Sequence, residues 1–451
     1  MLGGVVPVLR CKVTVFFLNV QIFSGIFFEG KGFLCIFAVF RRPRAICVGA
    51  GTLYVIMKFR FLHFLFSLFG LFTLSALTGC GEDNPVPVPP PVPEEGSRTV
   101  MVYMVANNNL GSADFDADDL EEMRKAVVAG ALGPKGHLLV FHEAYGASPV
   151  LKAFETDGSL IELKAYDSGS TGVEARTMAE ALDDMKAYAL AESYGLILWS
   201  HASGWIEDGI REDTEDIAPL SFGLSGRRKM NVSTLARVLE GRGLDFVYFD
   251  CCYMMGIETV YQLRRAAPVL AGSPTELPSA GMPYDRTLPF FFAEGEPDLP
   301  GATRTTFEHY DGQSGSARTS TMSVVQTAGL EALAQACLPI YGNSLIGMPG
   351  APFEPQRYTA TGVETCKYFD FGQYMRELAK DSPERLAAFE KALGDVVVYE
   401  NATPYLWSSV ALKEHSGLST YIMRGEDDPN CQLLEGLDWS RIEIFPLPDN
   451  N

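Results

Sequence analysis

The chain has 451 residues, with 36 Lys and Arg against 56 Asp and Glu, and a formal net charge of −20. So large an acidic excess works against nucleic-acid binding, which depends on dense Lys and Arg contacts to phosphate, and favours basic partners. Its 9 cysteines are too few and too scattered for a disulfide framework, and no CxxC or HExxH spacing offers a zinc site.

Residues 1–56 are rich in Phe, Ile, Val and Gly, without caps or amphipathic periodicity, and read as spurious upstream translation. Met57 then opens a secretory signal over 57–79: Lys58 and Arg60 form its basic start and Phe61 to Leu77 its apolar core. Leu77-Thr78-Gly79-Cys80 reads as a lipobox, with Cys80 as the lipidated residue; an N-terminal membrane helix is the alternative. Residues 80–97 form a tether whose alternating Pro and Val enforce an extended spacer. Removing residues 1–79 takes away eight of the 36 basic residues and one of the 56 acids, which leaves a net charge of −27. Five cysteines then remain besides Cys80, an odd number that leaves at least one thiol free. The expected address is the bacterial envelope, anchored by lipid on the periplasmic or cell-surface face of the outer membrane.

Residues 98–445 are expected to form one enlarged α/β domain with a C-terminal elaboration, or a two-domain split of the same span. Thr99 to Leu110 reads as the first strand and its turn, and Ser112 to Val128 as a helix whose early acids suit the helix dipole. His137 to Gly146 is a second strand, and Val150 to Leu163 a hairpin around Asp157-Gly158. Thr177 to Glu192 is an amphipathic helix leading into an apolar strand, Gly195 to His201. A long polar loop, Ile206 to Met230, and a helix, Ser233 to Gly241, precede the strand Leu244 to Cys252. A helix over Met255 to Ala266 and a strand over Pro268 to Glu276 follow. Farther on, Phe369 to Ala379 reads as a helix, and Pro383 to Glu400 as a helix running into a strand. This alternation implies a mostly parallel central sheet flanked by helices.

Two strand ends carry chemistry. His201 closes one apolar run and Cys252 closes the next, and catalytic groups of open α/β sheets collect at the carboxyl ends of strands. A thiol and an imidazole so placed are the parts of a cysteine-nucleophile hydrolase. Side chains alternate along a strand, so Asp250 and Cys252 share a face and Cys251 takes the other. Cys251 then packs in the core, with a vicinal disulfide as the alternative. His201 and the start of the following helix are expected to lower the Cys252 pKa, and His201 to protonate the departing amine. Asp250 is placed to receive a guanidinium or ammonium, or else it caps the turn after its strand. Ser273 and, more remotely, Asp285 are expected in the same substrate cleft. Trp205 either walls the pocket or packs.

Trp199-Ser200-His201-Ala202-Ser203-Gly204-Trp205 and Asp250-Cys251-Cys252-Tyr253-Met254 resemble the His and Cys turns of the clostripain-like cysteine peptidases of the caspase-like clan. Glu258, Tyr261, the opening strand and the late segment His415 to Ile422 fit the same pattern, over roughly residues 98–425. The resemblance implies a caspase-like fold and a cysteine endopeptidase that cleaves after Arg or Lys with a Cys252–His201 dyad. It further implies an oxyanion site from the Ala202 and Cys252 amides, with Ala202 where the family has Gly, and Asp250 in the pocket for the basic side chain. Cys251 stands where the family has Ala. Self-processing at Arg227, Arg228 or Lys229, in the loop before the next helix, is the family-like expectation, with an intact basic turn as the alternative. No cofactor is expected; some members require calcium, but no DxDxDG loop is present here. Partners are then polypeptides with basic residues, and the alternative function is an inactive surface lipoprotein that keeps the fold as a peptide-binding module.

Overall fold

A computed structural model describes residues 96–206, 222–341, 355–359, 366–423, 428 and 430–443. The leader, the lipobox and residues 80–95 of the tether expected over 80–97 lie outside them, and the tether's last two residues, Gly96 and Ser97, instead open β1. The amino-terminal half of the fold runs β1 (Gly96–Val105), α1 (Phe115–Val128), β2 (Gly136–Glu143), β3 (Val150–Phe154), β4 (Leu160–Ala165), α2 (Ala175–Tyr188) and β5 (Ala191–Trp199). There follow β6 (Phe222–Ser225), β7 (Arg228–Met230), α3 (Val232–Leu239), β8 (Phe246–Asp250), α4 (Ile257–Gln262) and β9 (Val269–Gly272). Next come α5 (Tyr284–Phe291), α6 (Leu299–Asp311), β10 (Thr321–Gln326) and α7 (Leu330–Tyr341). Then β11 (Phe369–Asp370), α8 (Phe371–Ala379), α9 (Pro383–Val396) and β12 (Val397–Ala402) precede four short elements. These are β13 (Tyr405–Leu406), β14 (Val410–Ala411), β15 (Ser419–Thr420) and α10 (Cys431–Glu435), before a last turn of helix at Ser440–Glu443.

Nine strands form the central sheet in the order β12-β10-β9-β8-β5-β1-β2-β3-β4. The five middle strands, β9 to β2, are mutually parallel, and antiparallel strands close both margins. The centres of the middle strands are apolar because helices cover both faces, as buried parallel strands require, while polar residues gather at their ends. Met101, Tyr103, Leu196, Leu198, Val247 and Phe249 point into one core layer, and Val100, Val102, Ile197, Trp199, Phe246 and Tyr248 into the other. Gly195 sits where a β-carbon would lie 2.1 Å from the Phe246 ring, so the β5–β8 contact demands glycine there.

The chain leaves β1 toward β2 on one side and returns to place β5 on the other, so the order reverses between β1 and β5. The crevice beyond the carboxyl ends of these strands is the expected site of chemistry in such a sheet. β5 and β8 are parallel neighbours, with Trp199 paired to Asp250. His201 and Cys252 each follow that pair by two residues, in the turns after adjacent strands.

Several boundaries differ from the sequence reading. The helix expected from Ser112 is a 3-10 turn, Gly111–Ala113, and then α1, broken by Asp114 at φ 63°. The late segment His415 to Ile422 yields only β15, which pairs with β11 in a separate two-stranded ribbon. The loop expected over Ile206 to Met230 ends instead in the β6–β7 hairpin; residues 207–221 are outside those described. Helices α5 and α6 and strand β10 lie in a stretch to which the sequence reading assigns no element.

Candidate active site

His201 lies two residues past β5, half-buried, in a turn shaped by its neighbours. The Gly223 amide donates to the His201 carbonyl at 2.9 Å, and Ala202 bridges to Phe222. The left-handed position of this turn is Gly204, at φ 65°, and not Ala202, so the β-carbon of Ala202 is tolerated. A β-carbon on Gly204 would lie 2.8 Å from both the Tyr253 carbonyl and the Tyr368 hydroxyl. Tyr368 donates to the Ser203 carbonyl and stacks on Tyr253, with ring centroids 4.5 Å apart, so one tyrosine pins the His turn to the Cys turn. His201 Nε2 is 2.7 Å from Asn109 Oδ1. Burial, then Lys229, lowers the His201 pKa from its ordinary value.

Cys252 follows β8 by two residues. Cys251 is buried in the layer of Phe249, while Cys252 is half-buried and packs on the opposite layer. Tyr253, the next residue, has φ 59°, a strained value for an aromatic residue that turns the chain sharply after the thiol. The end of β9 holds the turn: Tyr253 N–H donates to Thr275 O at 2.9 Å and Met255 N–H to Ser273 O at 3.2 Å. The Leu277 amide points at the Cys252 sulfur from 3.4 Å. The following helix starts only at Ile257, so the turn over 251–255 separates the thiol from the helix N-terminus expected to act on it. Glu258 in that helix is fully buried and accepts from Thr420 Oγ1 at 2.7 Å and Tyr421 N–H at 2.9 Å, which locks the helix to β15.

Asp250 is only 5 % exposed. It does not cap the turn after its strand; it accepts from Met282 N–H and from the Tyr284 hydroxyl, each at 3.0 Å. Burial pushes its pKa up to about 6, those two hydrogen bonds pull it back, and Glu122 adds to the rise. A second buried carboxyl, Asp119 of α1, accepts from the Trp199 indole at 2.6 Å. Its pKa is pushed up to about 9, first by burial and then by the field of Asp250. Glu122 accepts from Tyr284 N–H at 2.9 Å and is likewise raised by burial and by Asp285. Among the described residues, no Lys or Arg pairs with Asp119 or Asp250.

Two expected cleft residues are placed otherwise. Ser273 is wholly buried, with its hydroxyl 3.0 Å from Thr321 Oγ1 and 3.1 Å from the Thr275 amide, so it braces the Cys turn from below and does not face a cleft. Asp285 lies at the exposed start of α5, 3.7 Å from the Arg286 guanidinium. Trp205 packs edge-on against Tyr421 at 5.5 Å and does not wall a pocket. Arg227 occupies the β6–β7 turn, Arg228 pairs with Glu174 at 2.7 Å, and Gly226 N–H donates to Asn107 O at 2.8 Å. The basic segment is thus part of a fastened hairpin and not a free loop. Asn109, Asp119, Glu122 and Tyr284 join the site although no sequence pattern singles them out. Among the described residues, no group of three or more His, Cys, Asp or Glu is arranged to hold a metal ion, and no helix is long and apolar enough to cross a membrane.

A mostly parallel sheet with helices on both faces, and a His turn and a Cys turn on adjacent strand ends, define a caspase-like cysteine peptidase. The chain belongs to the clostripain family, whose family model matches residues 102–341. An inactive zymogen C11 protease from Parabacteroides distasonis is 26 % identical, with a TM-score of 0.66 over 78 % of this chain and 99 % of that one. A secreted C11 cysteine protease from Bacteroides thetaiotaomicron, solved with an irreversible peptide inhibitor, is 25 % identical, with a TM-score of 0.64 over 77 % of this chain and 99 % of that one. A further structure of a secreted C11 protease from Bacteroides thetaiotaomicron, at 22 % identity and a TM-score of 0.66, covers 78 % of this chain and all of its own, and shares the fold. None of the curated proteins matches the chain.

Proposed function

We propose that the protein is a lipid-anchored cysteine endopeptidase that cleaves polypeptides after Arg or Lys through a Cys252–His201 dyad. The Cys252 thiolate attacks the carbonyl carbon, and the oxyanion is held by the Ala202 and Cys252 amides. His201, carrying the thiol proton, gives it to the leaving amine as the C–N bond breaks and a thioester forms. Water then attacks the thioester, His201 takes its proton, and the acid product leaves as the thiol is restored.

The observation that carries the specificity is the buried pair Asp119 and Asp250, with Asp250 two residues from Cys252 and, among the described residues, no Lys or Arg paired with either. Burying a carboxylate without a counter-charge is unfavourable, and a substrate guanidinium or ammonium would supply one. The relative from Bacteroides thetaiotaomicron that was solved with an irreversible peptide inhibitor supports a cleft that accepts a polypeptide. The test is labelling with an electrophilic peptide carrying Arg next to the warhead. Covalent mass on Cys252 that is outcompeted by an Arg peptide and not by its Gln counterpart supports the reading. A protein that is folded and unlabelled would leave a binding module in its place.

The membrane anchor rests on Leu77-Thr78-Gly79-Cys80 and the Pro-rich spacer behind it. Expression from Met57 should give export to the envelope, and Cys80→Ala should release the protein from the membrane fraction. Cys80→Ala protein that stays membrane-bound would point to an uncleaved helix.

A further inference from the structure

Three consecutive asparagines follow β1, and the structure gives them different work. Asn107 accepts from Gly146 N–H at 3.0 Å and reaches Glu143 Oε1 at 3.3 Å and Ser225 Oγ at 3.2 Å. Asn108 donates to Val105 O at 2.9 Å and to Leu224 O at 2.8 Å, while its own oxygen accepts from Leu110 N–H at 2.9 Å. These two fasten the turn to the sheet and to the β6–β7 hairpin. Gly111 clamps it further, because its α-carbon packs so close to Ala106 that a β-carbon there would lie 1.9 Å from the Ala106 carbonyl oxygen. Ser112 Oγ, finally, donates to the backbone carbonyl of Asn109 at 3.2 Å. The turn is therefore rigid, and Asn109 alone of the three turns its carboxamide away from it, toward His201 Nε2 at 2.7 Å.

We infer that Asn109 is the positioning residue for His201, a third member that fixes the imidazole tautomer and ring plane. A carboxamide oxygen can only accept, so the contact requires the proton on Nε2 and leaves Nδ1 as the nitrogen that serves Cys252. When His201 becomes imidazolium, the same oxygen keeps its hydrogen bond to a now charged donor, which strengthens it. Sheet order explains how one turn can do this: β1 and β5 are hydrogen-bonded neighbours, so the turn after β1 and the turn after β5 emerge side by side. The assignment rests on the peptidase reading above.

The test uses the full mature protein and three variants. Asn109→Ala should lower kcat about tenfold to a hundredfold, the loss expected when a proton-transfer group is set loose, with KM changed little. Without the acceptor the imidazolium is less favoured, so the alkaline limb of the kcat/KM profile should move to lower pH. Asn109→Asp keeps the acceptor and adds a negative charge, so it should recover most of kcat and move that limb to higher pH. An Asn109→Ala enzyme with parental kcat and an unmoved alkaline limb overturns the inference. So does a loss of activity that only tracks a lowered melting temperature and is not rescued by Asp. Cys252→Ala run alongside separates the two claims: if it retains activity, the nucleophile assignment itself has failed; if it is silent while Asn109→Ala is normal, only the role of Asn109 has failed.

Discussion

Replacing Asp250 with Asn removes a charge from a site where the fold resists one. The folded-state pKa of Asp250 stands at about 6 against an ordinary 3.8, and burial is the main cause. At about 1.4 kcal/mol per factor of ten, that displacement corresponds to roughly 3 kcal/mol of unfavourable ionisation. The sign follows from proton binding: between the two pKa values the folded state holds more protons than the unfolded one, so parent stability falls as pH rises through this window. Asp250→Asn keeps an acceptor for Met282 N–H and a partner for the Tyr284 hydroxyl, and it does not ionise. Its stability relative to the parent should therefore climb between about pH 4 and pH 6 and level off above, with a gain of roughly 1–3 kcal/mol. Denaturant unfolding at about pH 4.5 and about pH 8 measures the change. The same substitution removes the counter-charge of a bound Arg, worth several kcal/mol when one partner of a buried pair is lost, so kcat/KM for Arg peptides should fall about a hundredfold or more. Peptides with Gln at that position should be nearly unaffected. A stability gap that stays flat across the pH range would refute the buried-charge argument. An Arg-to-Gln ratio equal to the parent's would refute the role of Asp250 in specificity.

Cys252→Ala should abolish peptide cleavage while Cys251→Ala keeps most of it, because Cys251 is enclosed in the core layer of Phe249; comparing kcat for the two decides the register. His201→Ala should be equally silent with an unchanged melting temperature. Gly204→Ala forces a β-carbon into left-handed backbone and to 2.8 Å from two oxygen atoms, so thermal unfolding should report a loss of about 1–3 kcal/mol. Because Arg227, Arg228 and Lys229 belong to a fastened hairpin, N-terminal sequencing of folded, active protein should find no terminus directly after them; a stoichiometric terminus there that vanishes in Cys252→Ala would mean the hairpin opens readily.

The strands that build the site are legible in the sequence because they are buried on both faces. Each is therefore a long apolar run, and the His or Cys just past its end stands out against it. Asp119 is not legible. It lies in the run Asp116 to Glu122, where acids at the start of a helix look like solvated complements to the dipole. Only the packing of α1 on the sheet turns Asp119 onto the Trp199 indole and Asp116 onto His142 at 2.7 Å. Asn109 is hidden for a related reason. In a run of three asparagines, spacing cannot say which two hold the turn and which one faces outward. The hairpin at β6–β7 reads as loop because its strands are four and three residues long and are held largely by bonds to distant segments, among them Gly226 N–H to Asn107 O. Ser273 closes a strand and so looks like a cleft residue, yet the hydroxyls of Thr275 and Thr321 enclose it.

The pairing of β5 with β8, whose following turns carry His201 and Cys252, joins residues far apart in the chain, through parallel strands that need the whole intervening segment before they can pair. Pairings of this kind form late and slowly, since loop closure must be met before the contacts reward it. A chain synthesised only through the turn after β5 therefore holds His201 but not Cys252, and one that has reached Cys252 still lacks the end of β9 that shapes the turn around it. If the proposed dyad holds, hydrolytic competence arises with the closing of the sheet and not before.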